Sequence, residues 1–191
     1  MHQLLGKDQI LHVLKTSTVL KTLLLVDAYA MIYRAYYAFI RAPRMNSKGE
    51  NTSAIYGFVV TLEDLIKRIK PTHVAVAFDP SGPTFRHEKY EGYKANRHGM
   101  PEELAMQMPV MKQVLKAMNI PIYECQGWEA DDVIGTVGKI CSNNDWECVV
   151  VTGDRDSLQL IDENVHVKLV ISKPGQTTAT LYTEETFREE Y

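Results

Sequence analysis

The sequence predicts an α/β domain built on a mostly parallel sheet, and two observations carry that expectation. Short apolar runs recur along the chain at Leu23–Val26, His73–Phe78, Ile120–Glu124 and Cys148–Thr152. Strands apolar along their whole length are buried on both faces, which requires a sheet covered from both sides. Between them lie amphipathic, helix-length stretches at Ala30–Ile40, Ser53–Ile69, Pro101–Met118 and Ala130–Cys141. Such alternation is the mark of parallel strands joined by helical crossovers.

Taken in order, the apolar run from Val19 to Val26 is interrupted by Lys21 and followed by Asp27, so it reads as a strand. No stretch reaches the roughly 20 apolar residues that a membrane span needs. Pro71 follows the end of the second helix, and Pro101 suits a first helical turn. A later pair of strands is expected near Val165–Ile171 and Thr178–Tyr182. Ahead of the first strand, Leu4, Leu5, Ile10, Leu11, Val13 and Leu14 are spaced for a short amphipathic helix. Residues 1–22 are therefore expected to be an extension of unassigned role, and 23–191 a single catalytic domain.

Composition narrows the setting. Twenty-one Lys and Arg against 24 Asp and Glu leave a formal charge of −3, so no global positive field advertises nucleic acid. Binding to DNA would have to rest on local basic patches. The cysteines Cys125, Cys141 and Cys148 are odd in number and form no CxxC pair. That argues against a disulfide framework or a zinc site and points to a reducing, cytoplasmic setting.

The acids fall at informative places. Asp27 follows LLLV, Asp79 follows VAVAF and Asp154 follows VVVTG. In a parallel sheet these strand ends share one rim, where open α/β folds bind ligands. Glu129, Asp131 and Asp132 open a helix on the same rim, and Asp156 lies two residues past Asp154. Each has a local alternative. Asp79-Pro80 could start a turn, the Glu129–Asp132 group could favour a helix N-terminus, and Asp154 could be a cap. Convergence changes the weighing, because two carboxylates about 4 Å apart repel by roughly 4 kcal/mol at an effective dielectric near 20. Hard oxygen ligands gathered in this way suit Mg²⁺ or Mn²⁺, and a pair of such ions is a common device for phosphodiester chemistry.

The stretch Pro80–Gly99 has no clean period. Arg86, Lys89, Lys94 and Arg97 outnumber Glu88 and Glu91 there, with Tyr90 and Tyr93 interleaved. Phosphates attract Arg and Lys, and unpaired bases stack on aromatic rings. A solvated loop of mixed charge is the plain alternative. Arg34, on the first helix, is a further phosphate-ligand candidate, with a surface salt bridge as its alternative.

The motifs LLLVDAYAMIYRAYYAF, NSKGENTSAIYGF, PTHVAVAFDPSGPTFRHEKYEGYKANR, GWEADDVIGT and TGDRDSLQL run in order from about Leu23 to the end of the chain. In sequence and order they resemble the 5′-nuclease domain of bacterial DNA polymerase I, of the flap endonuclease and PIN-like family. The resemblance implies a three-layer fold with a central, mostly parallel sheet and a mobile basic arch over a carboxylate-lined metal site. It implies cleavage of 5′ flaps or 5′ ends of DNA in replication and repair, with a polymerase domain in cis. Asp27, Asp79, Glu129 and Asp131 would hold or approach a first ion, and Asp132, Asp154 and Asp156 would help to hold a second. Lys94 and Arg86 would stabilise charge on the scissile phosphate, Tyr93 would stack on a nucleotide, and Arg34 and Arg97 would contact DNA.

One departure from the family pattern matters. The family continues into a further Gly-Asp metal motif and a DNA-binding helical hairpin, and this sequence stops at Tyr191. The second metal site is therefore expected to be incomplete, and residues 1–191 alone weakly active or inactive. Two other readings are open: a PIN-type ribonuclease using the same strand-end acids, and a catalytically incomplete DNA-binding fragment. A hydrolase with a nucleophilic aspartate ranks last, because Asp27 lacks a second acid two residues on.

Overall fold

The central strand follows directly from its sequence. In β1 (Thr22–Asp27) the side chains of Leu24, Leu25 and Val26 are at most 1% exposed, and full burial of each contributes roughly 1.5–3 kcal/mol. A strand that apolar must lie inside the sheet. In the computed structural model, which describes residues 20–96, 99–173 and 176–191, it does. β1 pairs in parallel with β2 (His73–Ala77) on one side and β4 (Glu147–Thr152) on the other. Beyond β2 lies β3 (Ile122–Tyr123). Beyond β4 lie β5 (Val165–Lys173) and the antiparallel edge strand β6 (Gln176–Tyr182), giving the order β3-β2-β1-β4-β5-β6.

Alternation along the strands divides the core into two layers. Leu24 and Val26 face one layer, packed with Ile32, Phe58, Leu62, Met111 and Leu115. These come from α1 (Ala28–Ala38), α2 (Ser53–Ile69) and α5 (Gln107–Ala117). Leu23 and Leu25 face the other layer, with Ala130, Ile134 and Cys141 of α6 (Ala130–Asn143). Helices thus cover both faces of the sheet, and the three-layer α/β expectation holds. Among the described residues no helix is long and apolar enough to cross a membrane.

Several elements differ from expectation for identifiable reasons. The helix foreseen over Pro101–Met118 divides into α4 (Glu102–Ala105) and α5. Pro109 has no N–H to give to the carbonyl of Ala105, four residues back, so the helix restarts in the turn before it. The first helix begins at Ala28, two residues earlier than expected, because the Asp27 carboxylate caps it by accepting from the Ala30 amide at 3.2 Å. Within the expected arch, α3 (Phe85–Lys89) is helical and 91–96 is turn, while Arg97 lies outside the described residues. The cap that the sequence offers at Asp154 opens a 3₁₀ helix over Arg155–Leu160, and α7 (Glu184–Glu190) has no counterpart among the expected elements. The amphipathic segment foreseen near the start of the chain, from Leu4 to Leu14, lies outside the described residues.

What positions the site is the strand order. Strands to one side of β1 are reached through β2 and those to the other through β4, so the winding reverses between β1 and β4. A crevice opens at such a reversal, beyond the carboxyl ends of the strands. Asp27 ends one of these two strands, and Gly153-Asp154 follows the other.

The packing of α1 on α2 depends on Gly57. A Cβ there would sit 2.9 Å from Ala35 Cβ and 3.2 Å from the Phe39 ring. At Gly138 of α6 an added Cβ would meet nothing nearer than 3.7 Å. Both positions gain up to about 1 kcal/mol of helix propensity from alanine, but only Gly57→Ala meets an overpacking cost of about 1–3 kcal/mol. Denaturant unfolding of the two variants should therefore show G57A less stable than G138A by about that difference. Equal midpoints would contradict the close α1–α2 contact.

Candidate active site

Asp27 is 7% exposed at the end of the central strand. Its Oδ2 accepts from Thr152 Oγ1 at 2.8 Å and its Oδ1 from the Ala30 amide at 3.2 Å. Burial pushes its pKa up against the pull of these two hydrogen bonds, and Asp79 and Asp154 repel it further. Asp79, just past β2, accepts from the Ala130 amide at 2.7 Å and so ties the end of β2 to the start of α6. Asp154 accepts from the Asp156 amide at 2.9 Å and caps the 3₁₀ helix. Asp131 sits in the first turn of α6 and opens onto solvent. Crowding by protein, then repulsion from Asp27, Asp154 and Asp79, pushes its pKa up to about 6.

These four carboxylates, from four separate segments, line one cleft of about 820 Å³ together with Lys94, Tyr29, Tyr33 and Asn96. Arg34, half-buried on α1, stands outside that lining, and burial lowers its pKa.

A second group of acids is already engaged with the basic stretch. Glu129, 6% exposed, accepts from Lys94 Nζ at 2.6 Å and from the Tyr93 hydroxyl at 2.9 Å. Arg86 binds Asp132 with both terminal nitrogens, at 2.6 and 2.7 Å, and lies 3.6 Å from Glu129. Burial alone would raise the pKa of Glu129, but Lys94, Tyr93 and Arg86 outweigh it and hold the carboxyl below its ordinary value. The Arg86 hydrogen bonds are the largest cause of the lowered pKa of Asp132. Asp156 joins Arg86, Tyr93, Glu129 and Asp131 around a smaller neighbouring cleft of about 240 Å³. Lys94 adopts a left-handed backbone conformation, φ 54°, an unfavourable choice for a side chain of this size and one that accumulates where function demands it.

The local alternatives and the chemical reading turn out to be compatible. Asp132 accepts from the Glu129 amide at 3.0 Å as part of a helix-capping arrangement, and Asp154 is a cap in fact. Asp154 caps with Oδ1 and still lines the larger cleft, whereas both Asp132 oxygens are held by Arg86 and Asp132 lines neither of the two clefts. Thr152, Tyr29 and Tyr33 had not been singled out from the sequence. The tyrosines follow Asp27 by two and six residues, one helical turn apart, and that spacing was the available signal. Thr152 carries no charge and gave none.

As a home for a divalent cation, the donor set fits. Four hard carboxylates share a cleft, and their mutual repulsion is relieved by positive charge. Among the described residues, no three His, Cys, Asp or Glu side chains are grouped closely enough to hold a metal ion as they stand, so the carboxylates would have to draw together around one.

The family model for the 5′-3′ exonuclease N-terminal, resolvase-like domain matches residues 22–191. The chain belongs to this family. DNA polymerase I of Caldicellulosiruptor bescii is 44% identical over 169 residues, which is 88% of this chain and 20% of that protein. DNA polymerase I of Bacillus caldotenax is 41% identical over 172 residues, 90% of this chain and 19% of that protein. This exonuclease-family chain thus spans about a fifth of the length of these relatives. The T5 5′-exonuclease with divalent metal ions (zinc) bound shares its fold at a TM-score of 0.63, with 21% identity, covering 88% of this chain and 60% of that one.

Opposite outcomes are expected from two neighbouring substitutions in the metal-free protein near pH 7. Asp131→Asn removes a repelled charge and should stabilise by about 1 kcal/mol after allowance for solvent screening. Asp132→Asn breaks a charge-assisted pair and should cost about 1–3 kcal/mol. The sign for pH follows from linkage. With a folded pKa of about 6 against an ordinary 3.8, the Asp131 contribution is full below pH 3.8 and lost as pH rises through about 6. Urea melts of D131N should lack that part of the pH dependence. Destabilisation by D131N would contradict the repulsion.

Proposed function

We propose that this chain is the catalytic part of a metal-dependent 5′ nuclease. It hydrolyses phosphodiester bonds at 5′ ends or 5′ flaps of DNA in the cytoplasm, in cis with a polymerase domain. The observation that carries this reading is the meeting of Asp27, Asp79, Asp131 and Asp154 in one cleft at the sheet's winding reversal, with Lys94 on its wall, in a chain of the exonuclease family.

Each group has a part in the reaction. Asp27, Asp79, Asp131 and Asp154 would hold the cations, with Glu129, Asp132 and Asp156 close by for a second ion of Mg²⁺ or Mn²⁺. Bound ions of this kind lower the pKa of the attacking water and offset charge on the leaving oxygen. Lys94 and Arg86 supply positive charge to the non-bridging oxygens of the scissile phosphate, where negative charge grows in the transition state. Lys94 is held by Glu129 and Arg86 by Asp132. Substrate phosphate would therefore draw Lys94 and Arg86 out of existing ion pairs, while the cations would meet carboxylates whose charge is not cancelled. Tyr93 offers a ring for a nucleobase near the cut, and Arg34 and Arg97 add phosphate contacts. Hydrolysis in this sense leaves a 5′-phosphate and a 3′-hydroxyl.

Asp79→Asn tests the reading cleanly, because an amide oxygen can still accept from the Ala130 amide. Cleavage of a 5′-flap duplex with Mg²⁺ should drop to background while flap affinity measured in Ca²⁺ stays close to that of the unmodified protein. Single-stranded RNA should be a poorer substrate than the flap. Undiminished Mg²⁺-dependent cutting by D79N would refute the assignment, and preference for RNA would favour a PIN-type ribonuclease.

A further inference from the structure

Thr152 is the last residue of β4, wholly buried, and its hydroxyl joins the two sides of the winding reversal. The Asp154 amide donates to Thr152 Oγ1 at 3.1 Å, and Oγ1 lies 2.8 Å from Asp27 Oδ2. Because the amide occupies a lone pair on Oγ1, the hydroxyl proton is directed to the carboxylate. The result is a one-way chain: Asp154 amide to Thr152 hydroxyl to Asp27 Oδ2. Asp27 Oδ1 is fixed in turn by the Ala30 amide. Both carboxylate oxygens of Asp27 are thereby oriented by donors behind them, and the backbone that carries the Asp154 carboxylate is fixed by the same hydroxyl.

We propose that Thr152 is a positioning residue for the metal cleft, setting the Asp27 carboxylate and the Gly153-Asp154 turn in mutual register. This rests on the reading of the cleft as a cation site. A single uncharged hydroxyl does this where a charged group could not: a cation there would neutralise Asp27, and another acid would add to the repulsion. Valine has nearly the same shape but neither donates nor accepts. It would leave the buried Asp27 Oδ2 without its donor and the Asp154 amide without its acceptor. Groups that orient metal ligands from behind typically matter by roughly 10–100-fold in metal affinity.

The test is titration with Mn²⁺ alone, following free Mn²⁺ by its EPR signal, on the unmodified chain and on T152V, T152S, T152A, D27N and the T152V/D27N pair. Thr152→Val should weaken Mn²⁺ binding roughly 10–100-fold, while Thr152→Ser, which keeps the hydroxyl, should bind nearly as the unmodified chain does. In the Asp27→Asn background, Thr152→Val should weaken binding by a smaller factor than it does alone, since the part of its effect that passes through Asp27 is already lost and only the part through the Asp154 amide remains. Circular dichroism in EDTA establishes that each variant is folded, and Thr152→Ala decides the matter if the valine variant is not. Unchanged Mn²⁺ affinity in the folded hydroxyl-free variants overturns the proposal alone, as does equal loss from serine and valine. Absence of Mn²⁺ binding by the unmodified chain overturns the cation-site reading, and this proposal with it.

Discussion

Asp27 stands at the end of a strand in which Leu23, Leu24, Leu25 and Val26 are all buried, and its carboxylate is repelled across the rim by Asp79 and Asp154. Nothing in the packing asks for that arrangement. Burial of a carboxylate is unfavourable, and crowding it with others is more so. The fold tolerates the repulsion because its source is confined to the rim, while two apolar layers beneath hold the strand ends where they are. The fold thus keeps an unfavourable charge cluster in place, and in the proposed function a divalent cation is the partner that would relieve it. That trade, stability given up locally in exchange for a site prepared in advance, accounts for most of what is unusual in the structure.

The acids on the rim have two kinds of partner. Asp27, Asp79 and Asp154 are fixed by neutral donors: a hydroxyl and backbone amides. Neutral donors orient a carboxylate without cancelling its charge, so its attraction for a cation survives. Glu129 and Asp132 are instead bound by Lys94 and Arg86, and their charge is cancelled until those cations are drawn elsewhere. A substrate phosphate is the kind of group that draws them. In the proposed function the acids therefore divide into a set that would take the metal and a set that would exchange partners with substrate, and the division follows the chemistry of the donor in each case.

Much of this was legible in the sequence, and the remainder was hidden for physical reasons. Strands β1 and β4 announce themselves because the unbroken apolar runs Leu23–Val26 and Cys148–Val151 fit few other environments, and Ser53–Ile69 emerged with both ends as expected. The break at Met106 was available too, in Pro109, but the strong period of the flanking residues concealed it. Acids at strand ends were visible because charge directly after an apolar run is conspicuous. The pairings Arg86–Asp132 and Lys94–Glu129 join residues 46 and 35 positions apart, and no local pattern encodes a contact of that range. Thr152 escaped for a different reason: a threonine at the end of a strand is ordinary, and only its two hydrogen bonds give it significance.

The central claim is that a hard divalent cation settles among the carboxylates at the winding reversal. Anomalous scattering from crystals grown with Mn²⁺ measures this directly. The expected result is a peak in the cleft between Asp27, Asp79, Asp131 and Asp154, with carboxylate oxygens at about the 2.0–2.2 Å typical of small hard cations. A map with Mn²⁺ bound elsewhere and that cleft left to water would contradict the account.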